Sequence, residues 1–158
     1  MTEDELIDEI CRLGTADRFE NAFTLSEKGI IQFPVSAELQ CLFGDLGQIS
    51  DTDRFSLKDA LSAYEKAVLL DPDWAEPWES IGHVCDILGD LAHAEAAFRK
   101  AIELGAEADS YAGLARVLAQ RGNPTSEILS LIDSCPFAES PAIKETRLEI
   151  ENGMWKPD

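Results

Sequence analysis

The sequence predicts an all-α fold of paired helices, on three observations. Apolar residues recur at helical spacing, as where Ala60, Leu61, Tyr64, Ala67 and Val68 share one stripe of a helix. No long run of alternating β-branched residues is present, so strands are not expected. A stripe nearly matching the first, made of Ala94, Ala97, Phe98, Ala101 and Ile102, returns thirty-four residues later.

Start and stop signals place each helix in turn. Thr2 and Glu5 have capping-box spacing and open a first helix over 3–13, closed by Gly14. Asp17 and Glu20 repeat that spacing ahead of a second helix over 18–32. Ser36 precedes a third over 37–49, and Ser56 a fourth over 57–70 that the Asp71-Pro72 pair ends. A fifth covers 75–88 and stops at Gly89; Asp90 opens a sixth over 91–104. A seventh over 108–121 stops at Gly122. Asn123-Pro124 and Ser140-Pro141 each set a cap residue before a proline suited to the first helical position, opening helices over 124–134 and 141–152. The result is four helical hairpins and one closing helix.

Composition excludes several function classes. With 158 residues, 45% of them hydrophobic, the chain can bury a core and is read as one domain, 1–158. Thirteen Lys plus Arg stand against 31 Asp plus Glu, a net charge of −18 that repels nucleic acid and anionic lipid. The opening residues MTEDELIDEI lack the basic start and long apolar stretch of a signal peptide, and no segment is apolar long enough to span a bilayer. Cys11, Cys41, Cys85 and Cys135 are widely spaced and never in a C-x-x-C pair, which fits neither a zinc site nor a disulfide scaffold. A cytoplasmic protein with reduced thiols is expected.

The thirty-four-residue offset is a repeat. AYEKAVLLDP (63–72) aligns with AFRKAIELGA (97–106) through its aromatic, its Lys-Ala pair and the following aliphatics. Within 75–107 stand Trp78, Ile81, Gly82, Gly89, Ala94, Phe98 and Ala101. Their order and spacing resemble the tetratricopeptide repeat, although Ala106 replaces the closing proline and Cys85 a mid-helix aromatic. The flanking stretches resemble it more loosely. The second copy, over 37–74, carries Phe43-Gly44, Ala60, Tyr64, Ala67 and Pro72, with four extra residues near Thr52–Phe55 in its inner turn. The first spans 1–36 with Leu6, Ile7, Ile10, Gly14, Ala22 and Pro34; the fourth spans 108–138 with Leu114-Ala115, Leu118 and Gly122, and 141–152 caps the array. The resemblance implies a right-handed superhelix of about four hairpins plus a C-terminal capping helix. In it the small residues Gly44, Gly82 and Ala115 admit close helix approach, and the aromatics Phe43, Trp78, Tyr64 and Phe98 fill the space between layers.

No nucleophile elbow, phosphate loop, zinc-protease helix or calcium loop occurs, so neither catalysis nor a cofactor is expected. The strongest remaining feature is acidic. Between Lys66 and Arg99 there is no Lys or Arg, while Asp71, Asp73, Glu76, Glu79, Asp86, Asp90 and Glu95 fall in that interval. Glu76, Glu79, His83 and Asp86 share one helix face, with Trp78, Ile81, Gly82, Cys85 and Leu88 on another. His83, Glu79 and Asp86 offer a single nitrogen ligand, so no metal site is expected there. Acidic helix faces are most often plain solvated surface, and Glu76 and Glu79 lie in a first turn where negative charge is favoured anyway. Asp86 lies in a last turn, where the dipole opposes it by up to about 1 kcal/mol, which favours a binding role.

In the tetratricopeptide family the first helices of successive repeats line a concave, peptide-binding groove. Carried over by position, that groove would present Glu38, Asp45, Glu76, Glu79, His83, Asp86, Asp109 and Arg116. The family's clamp for acidic chaperone tails uses Lys, Arg and Asn; Asp45 and His83 stand where asparagine is wanted, and the lysines are missing. The expected partner is therefore another protein, bound through a basic or amphipathic segment. Two other classes remain open, a client-specific chaperone or assembly factor and a structural subunit self-associating through its end repeats, with an enzyme last.

Overall fold

A computed structural model describes residues 1–158 as nine α-helices without strands: α1 (Glu3–Thr15), α2 (Phe19–Gln32), α3 (Ala37–Ile49), α4 (Leu57–Leu70), α5 (Ala75–Ile87), α6 (Leu91–Glu103), α7 (Ala108–Gln120), α8 (Thr125–Ser134) and α9 (Pro141–Glu151). The chain divides into two compact units, Met1–Asp73 and Trp74–Asp158.

In the first unit α1 pairs with α2 and α3 with α4, and α3 packs against α2. The capping box closes as its spacing predicts: Glu5 N–H donates to Thr2 Oγ1 at 3.2 Å and Thr2 N–H to Glu5 Oε2 at 2.8 Å. Leu6, Ile10 and Leu13, one stripe of α1, bury against Ala22, Phe23, Leu39 and Leu46. On α4 the repeated stripe points inward, with Ala60, Ala63, Tyr64 and Ala67 buried. The loop 50–56 carries the residues in excess of the repeat and folds back over α2. Its Phe55 ring stands edge-on to Phe23 and Phe43, with centroids 5.4 and 5.2 Å away. Its Arg54 pairs with Glu27 at 3.0 Å and Glu20 at 3.1 Å.

The second unit holds α5 to α9. Here α5 packs on α6, α6 on α7, and α7 on both α8 and α9. Ala94, Ala97, Phe98 and Ala101 bury the counterpart of the α4 stripe. The Phe98 ring is clasped from two sides. A Cβ on Gly82 of α5 would lie 2.7 Å from it, and one on Gly113 of α7 only 2.4 Å. Both glycines exist to admit that ring. Tyr64 makes the same demand on Gly44, where a Cβ would lie 2.7 Å from the ring.

Several local expectations change. Asp17 does not cap α2; it takes a left-handed turn conformation (φ 57°), and the helix starts one residue later behind Arg18 without a side-chain cap. Gly14 does not stop α1, which runs on to Thr15. Asn123 is not the N-cap of α8: Pro124 holds that place, so the helix begins at Thr125. Ser140 does cap α9, accepting from Ile143 N–H at 3.3 Å with Pro141 at the first helical position. Trp78 and Phe43, expected to fill interior space, are only half-buried.

Candidate partner-binding surface

In the second unit, the start of α5 and the start of α7 come together around a cleft of about 320 Å³ lined by Ala75, Glu76, Glu79, Ala106, Glu107, Ala108 and Asp109. Four carboxylates and three alanines make a wall that is negative and low in relief. Glu76 in the first turn of α5, Asp109 in the first turn of α7 and Glu107 at its N-cap sit where a helix dipole favours negative charge, whereas Glu79, expected in a first turn, lies one turn further along α5. Glu79 accepts a hydrogen bond from the hydroxyl of Ser110, a fully buried residue of α7. That contact ties α5 to α7 beneath the cleft. Glu107 and Asp109 are exposed at its rim.

Asp86 lies at the other end of α5. Its Oδ1 accepts from Gln120 Nε2 of α7 at 2.9 Å. The amide donor answers the unfavourable helix-end position, so a local contact accounts for this carboxylate. Arg116 of α7 is engaged too: its Nε donates to Glu149 Oε2 of α9 at 2.8 Å and its Nη2 to Oε1 at 3.3 Å. The guanidinium holds the Glu149 carboxyl below its ordinary range. The Trp155 Nε1 donates to the same Oε2 at 2.8 Å, and the indole lies under the Arg116 guanidinium at 5.7 Å. His83 is exposed, with its ring edge-on to Phe98 at 4.9 Å between centroids.

In the first unit Glu38 is exposed in the opening turn of α3. Asp45 is half-buried and accepts from the Tyr64 hydroxyl at 2.6 Å, which in turn accepts from Gln48 Nε2 at 2.6 Å. Burial pushes the Asp45 carboxyl up, with the Tyr64 hydrogen bond opposing it; burial and the Asp45 charge together push the Tyr64 phenol up strongly.

Of the residues expected to meet a partner, then, Glu76, Glu79 and Asp109 share one cleft. Asp86 and Arg116 are bonded to neighbouring helices, and Asp45 bridges α3 to α4. Sequence reasoning missed Glu107, which occupies the N-cap position of α7 rather than a helix face. It also missed Ser110, Gln120 and Glu149, whose roles depend on which helix meets which.

Comparison with known proteins adds three findings. Residues 75–105 match the family model described as tetratricopeptide repeat. Over 105 residues, 66% of the chain, the sequence is 32% identical to the "Probable biofilm formation methyltransferase WspC" of Pseudomonas putida (strain KT2440). The chain spans about a quarter of that relative's length, 24%. Among solved structures, the MamA protein superposes with a TM-score of 0.74 at 20% identity, over 96% of this chain and 87% of that one. YrrB, described as a TPR protein with an unusual peptide-binding site, superposes with a TM-score of 0.70 at 18% identity, over 94% of this chain and 70% of that one.

Proposed function

The chain belongs to the tetratricopeptide repeat family, and on that premise we propose that it is a non-catalytic protein-interaction module that captures a basic or cationic-amphipathic segment of a partner. The observation that carries the reading is the cleft between the starts of α5 and α7, where Glu76, Glu79, Glu107 and Asp109 gather with only alanines between them. A cationic side chain entering there meets several carboxylates at once, and the shallow alanine floor leaves room for its aliphatic stem. Peptide binding is described for the structural relative YrrB; for this chain it is part of the proposal. Within the same unit His83, Asp86 and Arg116 extend the proposed contact set, and in the first unit Glu38 and Asp45 are proposed as separate partner contacts. Asp86 and Arg116 would have to exchange their present partners for those of the incoming segment.

The reading is tested by titrating a fluorescent amphipathic Leu–Lys peptide onto the full chain and onto a variant carrying Glu76→Lys, Glu107→Lys and Asp109→Lys. At least tenfold weaker binding by the variant is expected. Equal affinities would mean that the cleft is ordinary solvated surface.

A further inference from the structure

Beyond α9 the segment 152–158 turns back along the second unit. Met154 N–H closes the end of α9 by donating to the Glu149 carbonyl at 3.0 Å, and Trp155, which follows, meets Arg116 of α7. There they roof a cleft of about 340 Å³ lined by Leu91, Gln120, Met154, Trp155, Lys156, Pro157 and Asp158. Pro157 comes to the turn after α7, within 3.7 Å of where a Cβ on Gly122 would stand.

The chemistry around Trp155 is specific to an indole. Its π face lies under the Arg116 guanidinium, the favourable geometry for a cation over an electron-rich ring. Its Nε1–H meets the Glu149 carboxylate, which the same arginine orients through two hydrogen bonds. A phenylalanine could offer the face but not the N–H donor. Gln120 lines this cleft and also holds Asp86, so the segment sits against the side chains that tie α7 to α5. The segment offers one aromatic anchor, Trp155, followed by one cationic side chain, Lys156, whose charge Asp158 offsets.

We propose that Arg116 and Glu149 form a tryptophan-docking site that Trp155 occupies in cis, and that a partner segment bearing a tryptophan followed by a lysine takes the site by exchange. The inference rests on the reading of the chain as a capture module for cationic-amphipathic segments, and it names the anchor residue of such a segment. Binding is then a competition: the partner must first lift 152–158, so its apparent affinity is reduced by the fraction of chains in which the site is closed.

The test uses a fluorescent peptide, Gly-Met-Trp-Lys-Pro-Asp, and the full chain. A Trp155→Ala variant, whose own segment no longer fills the site, is expected to bind the peptide at least tenfold more tightly than the unsubstituted chain. Adding Arg116→Ala should abolish that gain, and replacing the peptide's tryptophan with phenylalanine should weaken binding severalfold. Equal binding by the Trp155→Ala variant and the unsubstituted chain would overturn the proposal, and would leave the acidic-cleft reading to its own charge-reversal test.

Discussion

Glycine-to-alanine substitution separates two glycines that look alike in the sequence. Gly82 is helical, so alanine there gains up to about 1 kcal/mol of helix propensity. Its new Cβ would strike the Phe98 ring, which cannot retreat because Gly113 bounds it on the other side. Overpacking of a well-packed site costs about 1–3 kcal/mol and outweighs the gain. Gly82→Ala is therefore expected to lower the unfolding midpoint in urea, whereas Gly14→Ala, with nothing within 4 Å of the added methyl, should raise it. A pair of chemical denaturation curves checks both signs. Gly82 was legible from its place in the repeat. Gly113 was not, because it meets Phe98 from the following hairpin and stands at none of the small-residue positions that the repeat marks.

Asp45 adds a pH-dependent expectation at the same scale. Burial raises its carboxyl above the ordinary value, more than the Tyr64 hydrogen bond lowers it. A carboxyl raised on folding contributes stability at low pH and loses it as pH rises through the folded value. At neutral pH the half-buried charge is a net cost. Asp45→Asn, which keeps an oxygen for the Tyr64 hydroxyl, should raise Tm at pH 7, and the advantage should fade as pH falls through the raised folded value and be gone by about pH 4. Glu149 behaves oppositely. Its carboxyl is held low by Arg116 and by the Trp155 N–H, so the stability it contributes is present above the ordinary carboxylate range and lost as pH falls through the lowered value. Thermal melts across acid pH, with Asp45→Asn beside the unsubstituted chain, read the first effect directly.

The loop 50–56 shows what holds an irregular element in place. Two contacts compete for the credit: the Arg54 pairs with Glu20 and Glu27, and the Phe55 ring over Gly47, Phe23 and Phe43. The arginine is about half exposed (52% of its side chain), so solvent screens the pairs. Phe55 is partly buried in an aromatic cluster, and truncating such a ring costs about 3 kcal/mol. Phe55→Ala should destabilise the chain strongly and Arg54→Ala hardly at all, as differential scanning calorimetry would show. That extra residues sit in this turn was readable from the repeat spacing. That they fold back onto α2 was not, since the space for Phe55 is left by Gly47, which in sequence is simply one residue inside the helical pattern over 37–49.

Helix boundaries followed the sequence closely because caps, periodicity and stop signals agreed at most of them. They failed where two signals competed. At Asp17 a plausible capping box lost to a left-handed turn residue, and at Asn123 a plausible cap lost its place to the proline beside it. The acidic face of α5 was visible by phasing alone. Its division into a shared cleft at one end and a satisfied Asp86 at the other was not, because Ser110, Gln120 and Glu107 come from the following repeat.

At the scale of the whole molecule, a net charge of −18 sets a long-range preference for cationic partners, while the cleft at α5 and α7 supplies a place for one. Field and site make different demands on salt. Attraction by the net charge alone is screened smoothly and has no address, whereas capture in the cleft perturbs particular residues. The central claim is therefore tested most directly by mapping amide chemical-shift changes as an amphipathic Leu–Lys peptide is titrated onto the labelled chain at physiological ionic strength. Saturable shifts centred on Glu76, Glu79, Glu107 and Asp109 are expected. Shifts spread evenly over the acidic surface, or confined to helices away from the cleft, would contradict that claim.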